Sequence, residues 1–496
     1  MYGAKVRLRY AGFVSFLSML FSVLTGLAFT TIITRKLTPC DFGLWQIISI
    51  TIAYLSIITN VVYYWAPRFI ARGENVAKSS LVYNLVTGIA ATIIYIFLSL
   101  FISSTLQLEF YYFLFFSPQV FLVYVSMALE GVNRGCAPQH VGYSFMIFEL
   151  IKVISAYALV VAIKQRLIGA FLSVMLAQLS KVIYLLVVTY PIVKEGVLRK
   201  EHLVRFTKLS WIPFYYNLAN LMGMLDVYVV TFFAGSTIPV AMFRVAHALS
   251  SVILYSTSFS SALYPRVLAK KEKRDIEETI KLSTMFVFPM TAGLIVMAKP
   301  LLCIFGVKYL PAYNILLALS ATFLVFSFTQ IFEAVILGAE EVDLNKKAGF
   351  KEYLKSKLFI LPTVKYIFHG AYLVLLTVLL AVKAFEVTLT WAITYGLSKI
   401  LLTVWEYFYS KKIIKYKFLS SSALKYLAAS IAMALVLNSL GAGEIIETKI
   451  ALLLPKVAFY ISIGASLYLT LVLLIDEYAR NLVKRALSLI KTTSFM

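Results

Sequence analysis

The sequence predicts an all-α polytopic membrane protein of about fourteen transmembrane helices, built as two parallel-repeat six-helix bundles plus an extra helical pair. Three observations predict it. Only 14% of the 496 residues are charged and 61% are apolar, where a soluble chain would carry roughly 25% charged residues. Apolar runs of about 20 residues recur along almost the whole chain, each long enough to cross a hydrocarbon core. A short motif also returns after 198 residues, with six such runs enclosed.

In order, the predicted spans are 11–34, 44–64, 81–103, 109–130, 141–162, 168–191, 209–234, 240–262, 282–304, 311–338, 358–382, 387–408, 426–443 and 451–475. The first follows a basic start (Lys5, Arg7, Arg9). It is too long for the apolar core of a signal peptide and lacks a clear small-residue cleavage site, so it reads as an uncleaved span. No connection between spans is long enough for a separate soluble domain.

The cations sort by side. With the N-terminus inside, both termini and the even-numbered connections hold 32 Lys and Arg, the opposite side eight, and the span interiors six. This positive-inside bias places both termini in the cytoplasm of a multi-pass cell-membrane protein. The net charge of +23 therefore reports orientation and anionic membrane lipid, and nucleic acid is not expected. Trp45, Trp65, Trp211, Trp391 and Trp405 fall near predicted span ends, where indole favours the headgroup level. The three cysteines have no metal-ligand spacing and no structural disulfide is expected; Cys40 and Cys303 are the one pair on a common side.

The repeat divides the chain. Residues 67–74 read PRFIARGE and residues 265–272 read PRVLAKKE, and the flanking FGLWQII (42–48) and VAMFRVA (240–246) keep the same offset. Six enclosed spans make the copies parallel, related by an axis along the membrane normal. The expected organisation is an N-terminal bundle (1–192), a cytoplasmic linker (193–209), a C-terminal bundle (210–415), and two additional helices with a basic amphipathic tail (416–496). That tail, over 476–491, either lies on the inner leaflet or docks on the bundle. Gly88, Gly223, Pro213, Pro289 and Gly293 permit bends within spans.

At the same segments the sequence resembles the polysaccharide-biosynthesis, O-antigen (Wzx-type) flippase family of the multidrug/oligosaccharidyl-lipid/polysaccharide exporter superfamily. The motif closing span 1 reads Arg35-Lys-Leu37-Thr-Pro39-Cys-Asp-Phe42-Gly43, and an Arg follows span 2 in PRFIAR. Span 7 carries a buried-type Asp in MLDVYVVTFFAG, followed by Val240-Ala-Met-Phe243-Arg-Val-Ala246 and the YPRVLAKKEK exit. Span 9 ends in Cys303-Ile-Phe305-Gly306-Val-Lys-Tyr309-Leu-Pro-Ala312. The resemblance covers roughly residues 10–345 and departs at Thr38, Ala241 and Phe243, where the family has Gly, Gly and Tyr.

The resemblance implies a transporter that flips polyprenyl-(di)phosphate-linked oligosaccharides by alternating access, through a cavity lined by spans 1, 2, 7 and 8. A charge at the bilayer centre costs at least about 2.5–3.5 kcal/mol, so intramembrane charges are the first candidates for the substrate. Arg244, inside span 8, is the leading phosphate ligand, with Lys181 in support; a headgroup-anchoring role for Arg244 stays open. Arg35 and Lys36 would stand at an outer gate and the repeat-related Arg68 and Arg266 at an inner one, or all four anchor to headgroups. Glu149 and Lys152, at i and i+3, form either a structural ion pair or a proton relay. Asp226 either takes up H+ or Na+ as a coupling ion or partners an Arg such as Arg244. Lys365, His369 and Lys399 form either a second cationic strip or helix–helix hydrogen bonds, Lys456 is near enough to an end to snorkel, and Glu333 and Glu406 are expected to be solvated at cytoplasmic ends.

No Walker A loop, HExxH, GxSxG or CxxC is present, and no His pair has metal spacing; no enzyme chemistry, cofactor or metal is expected. The rival functions are a drug/cation antiporter of the same superfamily, a membrane polysaccharide polymerase or ligase, and a scaffold. The excess of intramembrane cations over acids favours an anionic substrate over a cationic one.

Overall fold

The computed structural model describes residues 8–263, 267, 272–340, 354–418, 420–482 and 484. Arg266, most of the second repeat copy and the tail segment 485–491 lie outside the described residues. Among those described there is no strand, and fourteen helices are long and apolar enough to cross a membrane. They are Leu17–Lys36, Pro39–Ile70, Ala77–Leu106, Phe110–Cys136, Gln139–Ala162, Arg166–Glu195, Pro213–Ala234, Ile238–Thr257, Lys273–Val296, Val307–Gly338, Lys357–Ala381, Val387–Ile413, Ser421–Ser439 and Ile450–Ile475. Every predicted span overlaps one of them, and the numbering is kept.

Several spans depart from regular α-helix along their length. Span 2 has a 3₁₀ turn at Ser56–Ile58, span 5 ends in a π-helical stretch at Tyr157–Ala162, and span 8 continues as 3₁₀ helix over Ser251–Ala262. Span 7 is interrupted at Gly223–Leu225 and restarts at Asp226. Of the five predicted bend sites only Gly223 coincides with a break; Gly88, Pro289 and Gly293 lie within continuous helices and Pro213 in a first turn.

The chain divides into two compact units, Met1–Ala241 and Met242–Met496. In the first, span 5 packs on spans 1 and 6, and span 4 on spans 2 and 3. Gly43 lets span 2 approach the backbone before span 8: a Cβ there would sit 2.1 Å from the Thr237 carbonyl oxygen. The Thr237 hydroxyl closes the same contact by donating to the Cys40 carbonyl at 2.7 Å. The segment expected to be a linker contains an amphipathic helix, Lys200–Lys208, that is firmly docked. Phe206 is fully buried among Val61, Phe69 and Val132, and Arg205 pairs with Glu74 at 2.6 Å.

In the second unit spans 10 and 11 pack on span 12, and span 13 on span 9. Spans 13 and 14 share a core with span 9 through Met285, Tyr426, Met433, Leu453 and Tyr468. Tyr468 donates to the Met285 carbonyl at 2.6 Å. Trp391 departs from expectation. It is fully buried, stacked on Phe243 with ring centroids 3.8 Å apart, and donates to the Tyr372 hydroxyl at 3.0 Å. Nearness to a span end in sequence does not fix which way an indole faces; here it faces the bundle. Cys40 is exposed and Cys303 buried.

Candidate functional site

A charge removed from water needs a partner or a ligand, so the buried charges of each unit sort the candidates. In the first unit, span 4 presents Ser126, Glu130 and Asn133 at i, i+4 and i+7, one face of a helix. Span 6 answers along its length: Gln178 donates to Ser126 Oγ at 2.6 Å, Lys181 meets Glu130 at 2.5 Å, and Asn133 donates to Thr189 Oγ1 at 2.6 Å. Interhelical polar contacts of this kind glue helices together in lipid. Lys181, which has no acid near it in sequence, is thus neutralised from another span. The spacing of polar residues on spans 4 and 6 was the signal that could have found this ladder.

Lys152 and Glu149 form their i, i+3 pair at 2.7 Å, and Thr25 of span 1 donates to the second carboxylate oxygen at 2.6 Å. The Lys152 ammonium lies 5.1 Å from the Phe29 ring centroid and 5.0 Å from that of Phe148, within cation–π reach. Asp226 is buried at the restart of span 7. Lys36 is exposed at the end of span 1, beside half-buried Arg35. Arg68 lies over the Tyr64 ring at 3.6 Å and donates to the Tyr64 carbonyl at 2.6 Å.

The second unit decides between two alternatives and corrects one expectation. Lys365, His369 and Lys399 do not form a purely cationic strip: Lys365 pairs with Glu333 at 2.6 Å, and Lys399 lies 3.1 Å from His369 Nε2. Glu406 is not solvated but fully buried. Span 12 runs two turns past it to Ile413 and packs that face on span 10, so its nearness to the predicted end misjudged its depth. Neither Glu406 oxygen has a hydrogen bond among the described residues. Thr329, near it on span 10, is paired with Thr403 at 2.7 Å.

Arg244 is the exception among these cations. It is half-buried in span 8, and no described residue hydrogen-bonds or ion-pairs with it. Its Nε is wholly buried and unpartnered. One turn on, His247 lies 3.3 Å from the Tyr395 hydroxyl and edge-on to Phe323. Arg244 therefore offers a guanidinium whose Nε is unspent among the described residues, inside the length of a membrane span.

No family model matches the sequence, and no curated protein matches it closely. Solved structures do. The lipid II flippase MurJ in an inward closed conformation superposes with a TM-score of 0.66 at 15% identity, covering 94% of this chain and 100% of that one. An inward-facing multidrug resistance MATE family transporter of the MOP superfamily gives 0.62 at 13% identity, covering 79% and 96%. An outward-facing structure of such a transporter gives 0.54 at 15% identity, covering 81% and 95%.

The chain has the MurJ and MATE fold. At these identities the likeness establishes architecture, a polytopic α-helical membrane fold, and transfers no residue roles. Glu130, Glu333 and Glu406 are the site-forming residues that sequence reasoning missed or misplaced. The first two become visible only when helices are paired.

Proposed function

We propose that this protein is a membrane transporter that flips polyprenyl-(di)phosphate-linked oligosaccharides from the cytoplasmic to the external leaflet by alternating access, for assembly of cell-surface glycan. The observation carrying the proposal is Arg244, whose buried Nε has no hydrogen bond among the described residues and which lies in a membrane-spanning helix. A planar five-donor cation suits phosphate oxygens bidentately. The excess of membrane cations supports an anionic substrate less than it did in the sequence, because Lys152, Lys181 and Lys365 are matched by Glu149, Glu130 and Glu333. Arg244 remains. MurJ covering 94% of the chain, against 79–81% for the drug transporters, adds support for a lipid cargo.

In this reading Arg35, Lys36, Arg68 and Arg266 serve the two gates, and the repeat-related bundles of spans 1–6 and 7–12 are the rocking halves. Lys181 would have to exchange Glu130 for phosphate, and its place in a polar ladder argues for a structural role. Asp226 is the proposed site for a coupling H+ or Na+; Glu149 is already engaged by Lys152 and Thr25.

Proteoliposomes loaded with a fluorescent lipid-linked glycan test the proposal. Wild type flips the label, Arg244→Ala loses most of the rate, and Arg244→Lys recovers part of it. An unchanged rate in Arg244→Ala removes the site assignment, and no flipping of any glycolipid removes the function. The MATE likeness supports a second reading, a drug/cation antiporter, which predicts proton- or Na+-driven efflux of organic cations from the same vesicles.

A further inference from the structure

Within the first unit a cleft of about 370 Å³ opens between spans 1, 2, 4, 5 and 6, a size in the small-ligand range of roughly 300–1,000 Å³. Its chemistry is mixed in a particular way. Phe29, Trp45 and Phe148 supply aromatic faces, Phe29 and Trp45 lying 6.1 Å apart and tilted by 55°. Two polar atoms on residues lining it are buried and have no hydrogen bond among the described residues: the Trp45 indole Nε1, a donor, and the Gln119 Oε1, an acceptor. Gln119 is only 5% exposed. Thr30 and Ser49 add hydroxyls.

Charge selects among occupants. Lys152 lines the cleft, but its ammonium is matched at 2.7 Å by Glu149, so the wall carries no net charge from this pair. An anion gains no unspent cation there, and a cation meets an ammonium. A ligand that reaches the indole N–H and the amide oxygen relieves two buried polar groups that have no hydrogen bond among the described residues, worth roughly 1–3 kcal/mol each, and an acyl chain cannot do this. A neutral ligand with both apolar C–H faces and hydroxyls satisfies all parts together: its faces lie on the rings and its hydroxyls accept from Trp45 and donate to Gln119. That is the chemistry of a pyranose ring.

Gly26 keeps the cleft open. A Cβ there would meet nothing within 4 Å, so the glycine is not needed for helix packing at that point, and its missing side chain leaves space at the wall.

We propose that this cleft is a glycosyl subsite, taking one or two neutral pyranose rings within the first bundle, separate from the phosphate contact assigned to Arg244. The inference rests on the flippase reading for its biological sense, since it gives the glycan of the cargo a place to be read while Arg244 holds the phosphate. Its physical basis is independent of that reading.

The test uses full-length protein in detergent and saturation-transfer difference NMR with free disaccharides of neutral hexoses, N-acetylhexosamines and deoxyhexoses as probes. At least one class gives a saturable signal. Trp45→Phe and Gln119→Leu each weaken it roughly two- to tenfold, the loss of one hydrogen bond. Gly26→Leu, which adds bulk where there is room, keeps the thermal stability of wild type and abolishes the signal, so a folding defect is not mistaken for loss of the site. No saturation with any class, or saturation indifferent to all three substitutions, overturns the subsite. Cleft-dependent sugar binding without any glycolipid flipping supports the subsite and defeats the transport reading. Flipping without cleft-dependent binding does the reverse.

Discussion

Lys181 Nζ lies 2.5 Å from Glu130 Oε1, joining span 6 to span 4 in the middle rung of a ladder completed by Gln178–Ser126 and Asn133–Thr189. Both side chains are nearly buried. Breaking a buried pair from one side leaves the other charge uncompensated, which costs about 3–5 kcal/mol, whereas replacing both with apolar or neutral groups is often close to neutral. Lys181→Met is therefore expected to lower the melting temperature in detergent strongly, and the double variant Lys181→Met/Glu130→Gln to recover most of the loss. Equal losses in the single and double variants would show that the two charges are not coupled.

Gly43 and Gly26 sit in neighbouring helices and have opposite requirements. At Gly43 a Cβ would be 2.1 Å from the Thr237 carbonyl oxygen and 2.8 Å from its carbon, both backbone atoms that cannot rotate away. Gly43→Ala is expected to destabilise by about 1–3 kcal/mol, the usual range for overpacking. Gly26→Ala meets no atom and gains helix propensity, so it is expected to be neutral or to stabilise by up to about 1 kcal/mol. Thermal unfolding of the two variants side by side checks the contrast.

The fourteen spans were legible because hydropathy is a local property, and all fourteen helices fall where the apolar runs do. The Gly223 break was also legible, since glycine tolerates the tighter turn that precedes Asp226. The break at Ser56–Ile58 was not, because nothing in Ser-Ile-Ile distinguishes it from regular helix. Charge partners were hidden for a different reason. Glu149 and Lys152 share a helix face and could be paired by spacing, but Lys181 with Glu130 and Lys365 with Glu333 are joined only by the packing of separate spans. Depth was the last failure. Glu406 and Trp391 both lie near predicted ends of span 12, yet their faces turn inward, and a one-dimensional reading carries no rotation about the helix axis for a helix polar on more than one side.

Glu406 lies in a site with no exposure, and neither of its oxygens is hydrogen-bonded among the described residues. An ionised carboxylate is expensive in such a place and a neutral one much less so. Around it stand Glu333 of span 10, Lys365 of span 11 and Lys399 of span 12, with Lys365 already held by Glu333 at 2.6 Å. Glu406→Gln, which keeps the shape and removes the ionisable group, is expected to leave stability unchanged within about 0.5 kcal/mol. Lys365→Met is expected to cost about 3–5 kcal/mol, because it strands the Glu333 carboxylate. A large loss in Glu406→Gln would mean that the ionised form is the one the fold requires.

His202 ties the amphipathic helix Lys200–Lys208 to the start of span 3, outside the membrane spans. Its Nδ1 lies 3.2 Å from Ser79 Oγ, its Nε2 is 3.7 Å from a Glu74 oxygen, and Arg205 shares that carboxylate at 2.6 Å. Burial pushes the imidazole below its usual pKa; Glu74 and Glu201 pull it back up, and Arg199 and Arg205 add to the depression. The docked helix thus binds a proton less readily than the released one, whose histidine titrates near the unperturbed value of about 6.5. Docking keeps its full strength above that value and weakens as pH falls through it, until the depressed folded pKa is reached. The hydrogen–deuterium exchange protection factors over 200–208, taken relative to the intrinsic exchange rate at each pH, are expected to fall between about pH 7.5 and about pH 5.5 in wild type. His202→Gln, which keeps a polar group for Ser79 and cannot take the proton, is expected to flatten that pH dependence. An equal loss of protection in both proteins would place the sensitivity in Glu74 or elsewhere on the docking face.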